Sequence, residues 1–188
     1  MNHTIYSVRC LALAGLVIGL SACSNHGGGS SDSATPTTGP GWSLTLTASV
    51  PDAMADGGMA YNRLKAGQDP EATDLFDNGR DVRALLYGPV EAYFDHTADS
   101  RYDDQSQQVW YDLRDMKLPE EWDVVVNAAK GTTITLNWTV PTGEVNCTEN
   151  RFSLWDVDGG LGETDLCKKE SLTYTADGQS RRFLLRAS

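Results

Sequence analysis

Histidine is nearly absent: the 188-residue chain holds three, His3, His26 and His96. Only His96 lies outside the N-terminal tract, so imidazole chemistry has a single candidate. No G-x-S-x-G or comparable nucleophile elbow accompanies it. Flanked by Asp95 and Asp99 at the end of a strand pattern, His96 reads as a solvated loop residue. No phosphate-cradling glycine loop, zinc spacing or dinucleotide fingerprint occurs, and without C-x-x-C-H there is no covalent haem site. Positive charge is also scarce: 15 Lys and Arg face 26 Asp and Glu, for a net charge of -11. Such a surface repels phosphate backbones, so nucleic acid is not an expected partner. Apolar stripes at helical spacing are missing as well, and the best helix candidate, Leu118 to Glu121, is one polar turn. Adjacent acids such as Asp103 with Asp104 and Glu120 with Glu121 would point to opposite faces of a strand, which is poor geometry for an acid/base pair. The inventory is that of a protein that is not an enzyme.

The chain begins with Met1 to Arg9, carrying one base and no acid, followed by an apolar run from Cys10 to Leu20. That run is too short to span a bilayer, which needs about 20 apolar residues, and it has the form of a signal peptide. Directly after it, Leu20-Ser21-Ala22-Cys23 resembles the lipobox of bacterial lipoproteins. The resemblance implies cleavage after residue 22, a diacylglyceryl group on the Cys23 sulfur and acylation of the new amino terminus, with palmitate-type chains holding the protein on a membrane. One acyl chain binds only marginally, whereas several on one residue make release negligible. Ser24, in place of the aspartate that marks inner-membrane retention in enteric bacteria, implies an outer-membrane destination in the cell envelope.

Cleavage leaves Cys147 and Cys167 as the other thiols of an exported chain, and two cysteines in an oxidising compartment most simply form a disulfide. A structural metal on the same pair lacks the further His or Cys needed for four-fold coordination. Residues 23–41 are rich in Gly, Ser, Thr and Pro, too poor in apolar side chains to offset the entropy of ordering, and read as a disordered tether. Residues 42–188 are long enough for one domain with its own core.

Period two dominates that domain. From Trp42 to Val50 every even position is apolar and the odd ones are hydroxylated, the pattern of a half-buried strand. The same reading holds for Val90 to Phe94, Val109 to Leu113, Trp122 to Val126, Ile134 to Trp138, Arg151 to Trp155, Thr164 to Cys167, Leu172 to Thr175 and Arg182 to Leu185. Turn signals such as Lys130-Gly131, Pro141-Thr142-Gly143, Asp158-Gly159-Gly160 and Asp177-Gly178 separate several of them. Many short strands without helices predict an all-β antiparallel sandwich. The tract Gly67 to Asp81, the strand at Trp122-Asp123, Thr133 to Trp138 and Phe152 to Asp156 resemble immunoglobulin-like or fibronectin-III-like modules of secreted bacterial proteins. That resemblance implies an immunoglobulin-like β-sandwich with a non-catalytic role.

Two sets of side chains are candidates for a site. Asp74, Asp77, Asn78 and Asp81 supply oxygen ligands within a short irregular stretch, as calcium requires, although the spacing is not that of an EF-hand and the same residues commonly cap turns. Tyr93, Trp110 and Trp155 fall off the predicted core face, where an aromatic row would stack sugars or anchor a protein; Trp122 and Trp138 fall on it. The expected function is therefore a tethered, non-catalytic module that binds a protein or polysaccharide at the membrane surface. A purely structural spacer or assembly subunit is the alternative, and a hydrolase with an unrecognised carboxylate site is the third reading.

Overall fold

The computed structural model describes residues 41–51 and 59–188. The expected signal peptide, Cys23 and nearly all of the tether lie outside the described residues. Eleven strands follow: β1 (Trp42–Pro51), β2 (Met59–Gln68), β3 (Val82–Arg83), β4 (Val90–Asp95), β5 (Gln108–Arg114), β6 (Glu120–Ala128), β7 (Thr133–Thr139), β8 (Phe152–Asp156), β9 (Glu163–Asp165), β10 (Ser171–Thr175) and β11 (Arg181–Ala187). No helix occurs among the described residues, and Glu120, expected in a turn, opens β6.

The all-β expectation holds because alternation does what it must. Trp42, Leu44, Leu46, Ala48 and Val50 of β1 are buried, as are Trp122, Val124 and Val126 of β6 and Phe183, Leu185 and Ala187 of β11. Side chains of period two share one face of a strand, and these faces meet in a common core. Trp42 packs edge-on against Trp122 and Phe152, with ring centroids 6.1 Å and 5.5 Å apart.

β2 escaped the sequence reading. Its inward positions are Ala60, Asn62, Leu64, Ala66 and Gln68, mostly small or polar, so the hydrophobic contrast that reveals a strand is absent. It nevertheless pairs with β1 along its whole length. Gly67 permits that approach: a Cβ there would lie 2.1 Å from the Trp42 carbonyl oxygen. Buried Gln68 accepts a 2.7 Å hydrogen bond from Trp42 Nε1 and donates to the Lys117 carbonyl.

The two separate sheets of an immunoglobulin-like sandwich are not what the pairing gives. Hydrogen bonding runs through one curled sheet in the order β10-β7-β1-β2-β5-β4-β6-β11-β8-β9, with β3 paired to β5. The reason lies in β5. Val109 pairs with Phe94 of β4 and with Arg83 of β3, and two residues on, Tyr111 pairs with Lys65 of β2 and with Val82 of β3. A strand has two edges, and β3 occupies one; β4 and β2 therefore share the other in succession. β5 begins in one half of the sheet and ends in the other, stitching them together. The β2-β5 pairing is parallel, against the antiparallel expectation, while the other strand pairs are antiparallel. Where β2 and β4 part, Asn62 Oδ1 accepts the Ala92 N-H at 2.8 Å, replacing a ladder bond with a side chain.

On the far side the chain itself crosses between the halves after β9. Trp138 Nε1 on β7 donates to the carbonyls of Leu166 and Lys169 at 2.9 and 2.8 Å. This polar duty explains why Trp138, expected wholly in the core, is only half-buried. The expected disulfide, Cys147 to Cys167, ties the same crossing to the loop before β8, with Cα atoms 5.6 Å apart.

Replacing both cysteines by alanine is expected to lower unfolding free energy by about 3 kcal/mol, the loop-closure value for a bridge of this span, measured by urea denaturation. Asn62→Ala is expected to cost about 1–3 kcal/mol by orphaning a buried donor. Hydrogen exchange should show the Ala92 amide losing protection first; an unchanged Ala92 amide would refute the splice role.

Candidate functional site

The junction of β2, β3 and β5 opens outward as a groove of about 500 Å³ lined by Tyr61, Asn62, Arg63, Val82, Trp110 and Tyr111. Alternation along β2 turns Leu64 and Ala66 inward and Tyr61, Arg63 and Lys65 outward. Register sets Lys65 opposite Tyr111. Each cation rests on a ring: Arg63 Cζ lies 5.7 Å from the Tyr61 centroid and Lys65 Nζ 5.9 Å from that of Tyr111. Tyr61 is 57% exposed and Val82 39%, whereas Trp110 is half-buried against the core. A ring-lined groove with the Arg63 guanidinium beside it offers stacking and hydrogen bonding together.

Of the three aromatics expected to form a binding row, only Trp110 lies in this groove. Trp155 is exposed on β8, in the other half, with Arg186 Cζ 5.1 Å from its ring. Tyr93 of β4 is 8% exposed, in register with Val125, which is also buried. The expectation for Tyr93 is thus corrected: the outer side of β4 is covered at this point, so alternation does not mark a wet face. β6 and β11 separate β4 from β8, so Tyr93 and Trp155 lie roughly 14 Å apart by strand spacing and form no row. Tyr61 carries no signal in the sequence because β2 lacks hydrophobic contrast; on the paired strand its odd position faces outward.

The proposed calcium ligands do not converge. Asp81 Oδ1 accepts the Leu113 N-H at 2.8 Å and Oδ2 the Asp77 N-H at 2.7 Å. Asp77 in turn accepts from the Thr73 N-H and hydroxyl, Asn78 forms a backbone bridge with Asp81, and Asp74 pairs with Lys117 at 3.2 Å. The bonds within the loop cap turns, and both Asp81 oxygens and one oxygen each of Asp77 and Asp74 are already engaged. Among the four, Asp74 alone joins a group of acidic oxygens, with Asp115 and Glu120 within 4.8 Å of one another, and Lys117 reaches into it with contacts to both Asp74 and Asp115.

His96 is not the solvated loop residue expected from its neighbours. It is 8% exposed and stacks on Tyr102 at 4.0 Å, and Nε2 lies 3.0 Å from Asp112 Oδ2. Arg114 contacts the same Oδ2 at 3.0 Å and reaches Glu120 at 3.0 Å. Burial pushes the Asp112 carboxyl up, but His96 and Arg114 outweigh it and hold it below the usual carboxylate value. The cluster pins the end of β5 to the loop after β4 and the start of β6. Burial likewise raises the Asp81 carboxyl, here to about 6, against the two N-H donors that pull it down. A second pocket, of about 360 Å³ at the end of the sheet, has Arg181 at its wall. That guanidinium is committed to buried Asp156, Nε to Oδ1 at 3.2 Å.

Compared with protein-family models, curated protein sequences and solved structures, the chain matches none.

Because Asp81 binds its proton more tightly when folded, stability falls as pH rises from about 4 through about 6. The depressed Asp112 acts in the opposite sense: its contribution is complete at neutral pH and is lost as pH falls below the ordinary carboxylate range. Melting temperature should therefore rise on lowering pH from about 7 to about 5, and Asp81→Asn should flatten that rise. An unaltered pH profile in the variant would show that Asp81 titrates normally.

Proposed function

We propose that this protein is a cell-envelope lipoprotein, anchored by lipid on Cys23 and placed in the outer membrane, whose β-domain is a non-catalytic binding module for a polysaccharide or protein partner. The groove lined by Tyr61, Trp110 and Tyr111 carries the binding part of this reading. It combines the exposed Tyr61 ring and half-buried Trp110 with flanking cations at the junction where β5 is held by β2 and β3. The Leu20-Ser21-Ala22-Cys23 motif supports the anchor. An immunoglobulin-like sandwich arrangement is part of the proposal, supported by the core that the two half-sheets share. Buried Asp112 and partly buried Glu120 of the His96 cluster are both engaged by Arg114, which favours a binding module over a hydrolase.

Metabolic labelling with a fatty acid tests the anchor. Wild-type protein is expected to take up label and sediment with membranes, and Cys23→Ser to do neither. Alanine at Tyr61 and Trp110 tests the groove: the variants should keep their membrane location and lose retention on isolated envelope material by tenfold or more. Retention equal to wild type would remove the groove from the reading.

A further inference from the structure

The two halves of the sheet differ in charge far more than composition implies. Strands β10, β7, β1 and β2 lie side by side, and none of the four contains an Asp or Glu, in a chain with 26 acidic residues. Their outward positions are hydroxyl or amide side chains, such as Thr45 and Thr47 on β1, Thr135 and Asn137 on β7, and Thr173 and Thr175 on β10. The only charged groups on these strands are Arg63 and Lys65 of β2. The other half carries Glu91, Glu121, Asp123 and Glu163 on β4, β6 and β9, several of them neutralised by Arg182, Arg186 and Arg151.

Arg63 and Lys65 are unusual in a second respect. Most Lys and Arg side chains here meet a carboxylate. Among the described residues Arg63, Lys65, Arg83, Lys130 and Lys169 have no carboxylate within 4.0 Å. On a strongly acidic protein a cation without a carboxylate partner gains by pairing, so Arg63 and Lys65, beside an aromatic groove on strands that carry no Asp or Glu, form a local positive site, with Asp69 just past β2 felt by Lys65. They stand two residues apart on one side of a strand, roughly 7 Å, the scale of neighbouring sugar rings.

We infer that this face binds an anionic polysaccharide, an inference that rests on reading the Trp110 groove as a binding site. Sugar rings stack on Tyr61 at the groove, acid groups pair with Arg63 and Lys65, and the polymer's hydroxyls meet the threonine rows of β1, β7 and β10. Nucleic acid, with a phosphate at every step, needs more cations than this face has and is repelled by the net charge at longer range. A carboxylated and a sulfated sugar polymer offer the same chemistry to these groups.

Isothermal titration of the full-length chain in a neutral detergent tests the inference, with polygalacturonate, dextran sulfate and neutral dextran as the three polymers. Binding to one or both anionic polymers, at least tenfold tighter than to dextran and weakened by salt, is expected; the tighter of the two identifies carboxylate or sulfate as the recognised group. Arg63→Gln with Lys65→Gln should reduce that affinity tenfold or more. Arg182→Gln with Arg186→Gln, which removes the same charge from β11 in the other half of the sheet, should change it less than twofold. Unchanged melting temperatures establish that each variant is folded. Equal affinity for dextran, lost in Tyr61→Ala, overturns the anionic preference while leaving the groove as a binding site. An equal loss in the Arg182 and Arg186 variant overturns it in favour of overall charge. No binding to any of the polymers overturns the inference, and retention of a protein partner dependent on Tyr61 and Trp110 would then show that the groove serves a protein.

Discussion

Between Val109 and Tyr111 a single strand edge passes from one hydrogen-bonded partner to another, and most of the architecture follows from that exchange. With β3 on its other edge, β5 carries β4 first and β2 second. The two partners are driven apart there, and the backbone donor exposed by their divergence must be satisfied, which Asn62 does. Buried donors without partners cost about 1–3 kcal/mol each, so a side-chain acceptor at this point is a condition of the fold. The curl that results lets one core serve both half-sheets, and it leaves on the outside the recess in which Trp110 and Tyr61 meet.

Electrostatics divides the molecule along the same junction. Carboxylates crowd one half, where arginines of β11 and the loops answer them, and are absent from the strands of the other. The buried ones are held by specific donors: Asp112 by Arg114, Asp156 by Arg181 and the N-H groups of Gly160 and Leu161, Asp81 by Leu113 and Asp77. A buried carboxylate is tolerated only with such partners, and each marks a place where loop and strand are locked together. The acidic tract around residues 74–81 belongs to this class. Its density of oxygen atoms invites a cation in the sequence, but N-H groups of the same loop and of β5 hold both oxygens of Asp81 and one of Asp77.

Legibility in the sequence tracked the size of inward side chains. β1, β6 and β11 declared themselves through Trp, Leu, Val and Phe at alternate positions, and the disulfide followed from counting exported thiols. β2 stayed hidden because Ala60, Asn62, Ala66 and Gln68 give no hydrophobic contrast, although these small and polar residues are what the close approach of β1 and the bond to Ala92 demand. Tyr93 misled for a related reason: alternation assigns faces but does not say whether the second face is wet. His96 misled because its partner Asp112 is distant in sequence, on β5, so its neighbours Asp95 and Asp99 were the wrong guide.

Local pattern alone determined the all-β class, the positions of the strands with bulky inward residues and the pairing of Cys147 with Cys167, because these depend on period-two burial and on which thiols remain. Tertiary structure alone decided the single curled sheet, the parallel pairing of β2 with β5, and the company that Trp110 keeps. Those depend on which strand edge is free when two partners compete for it, and edge occupancy is set by contacts between segments far apart in the chain.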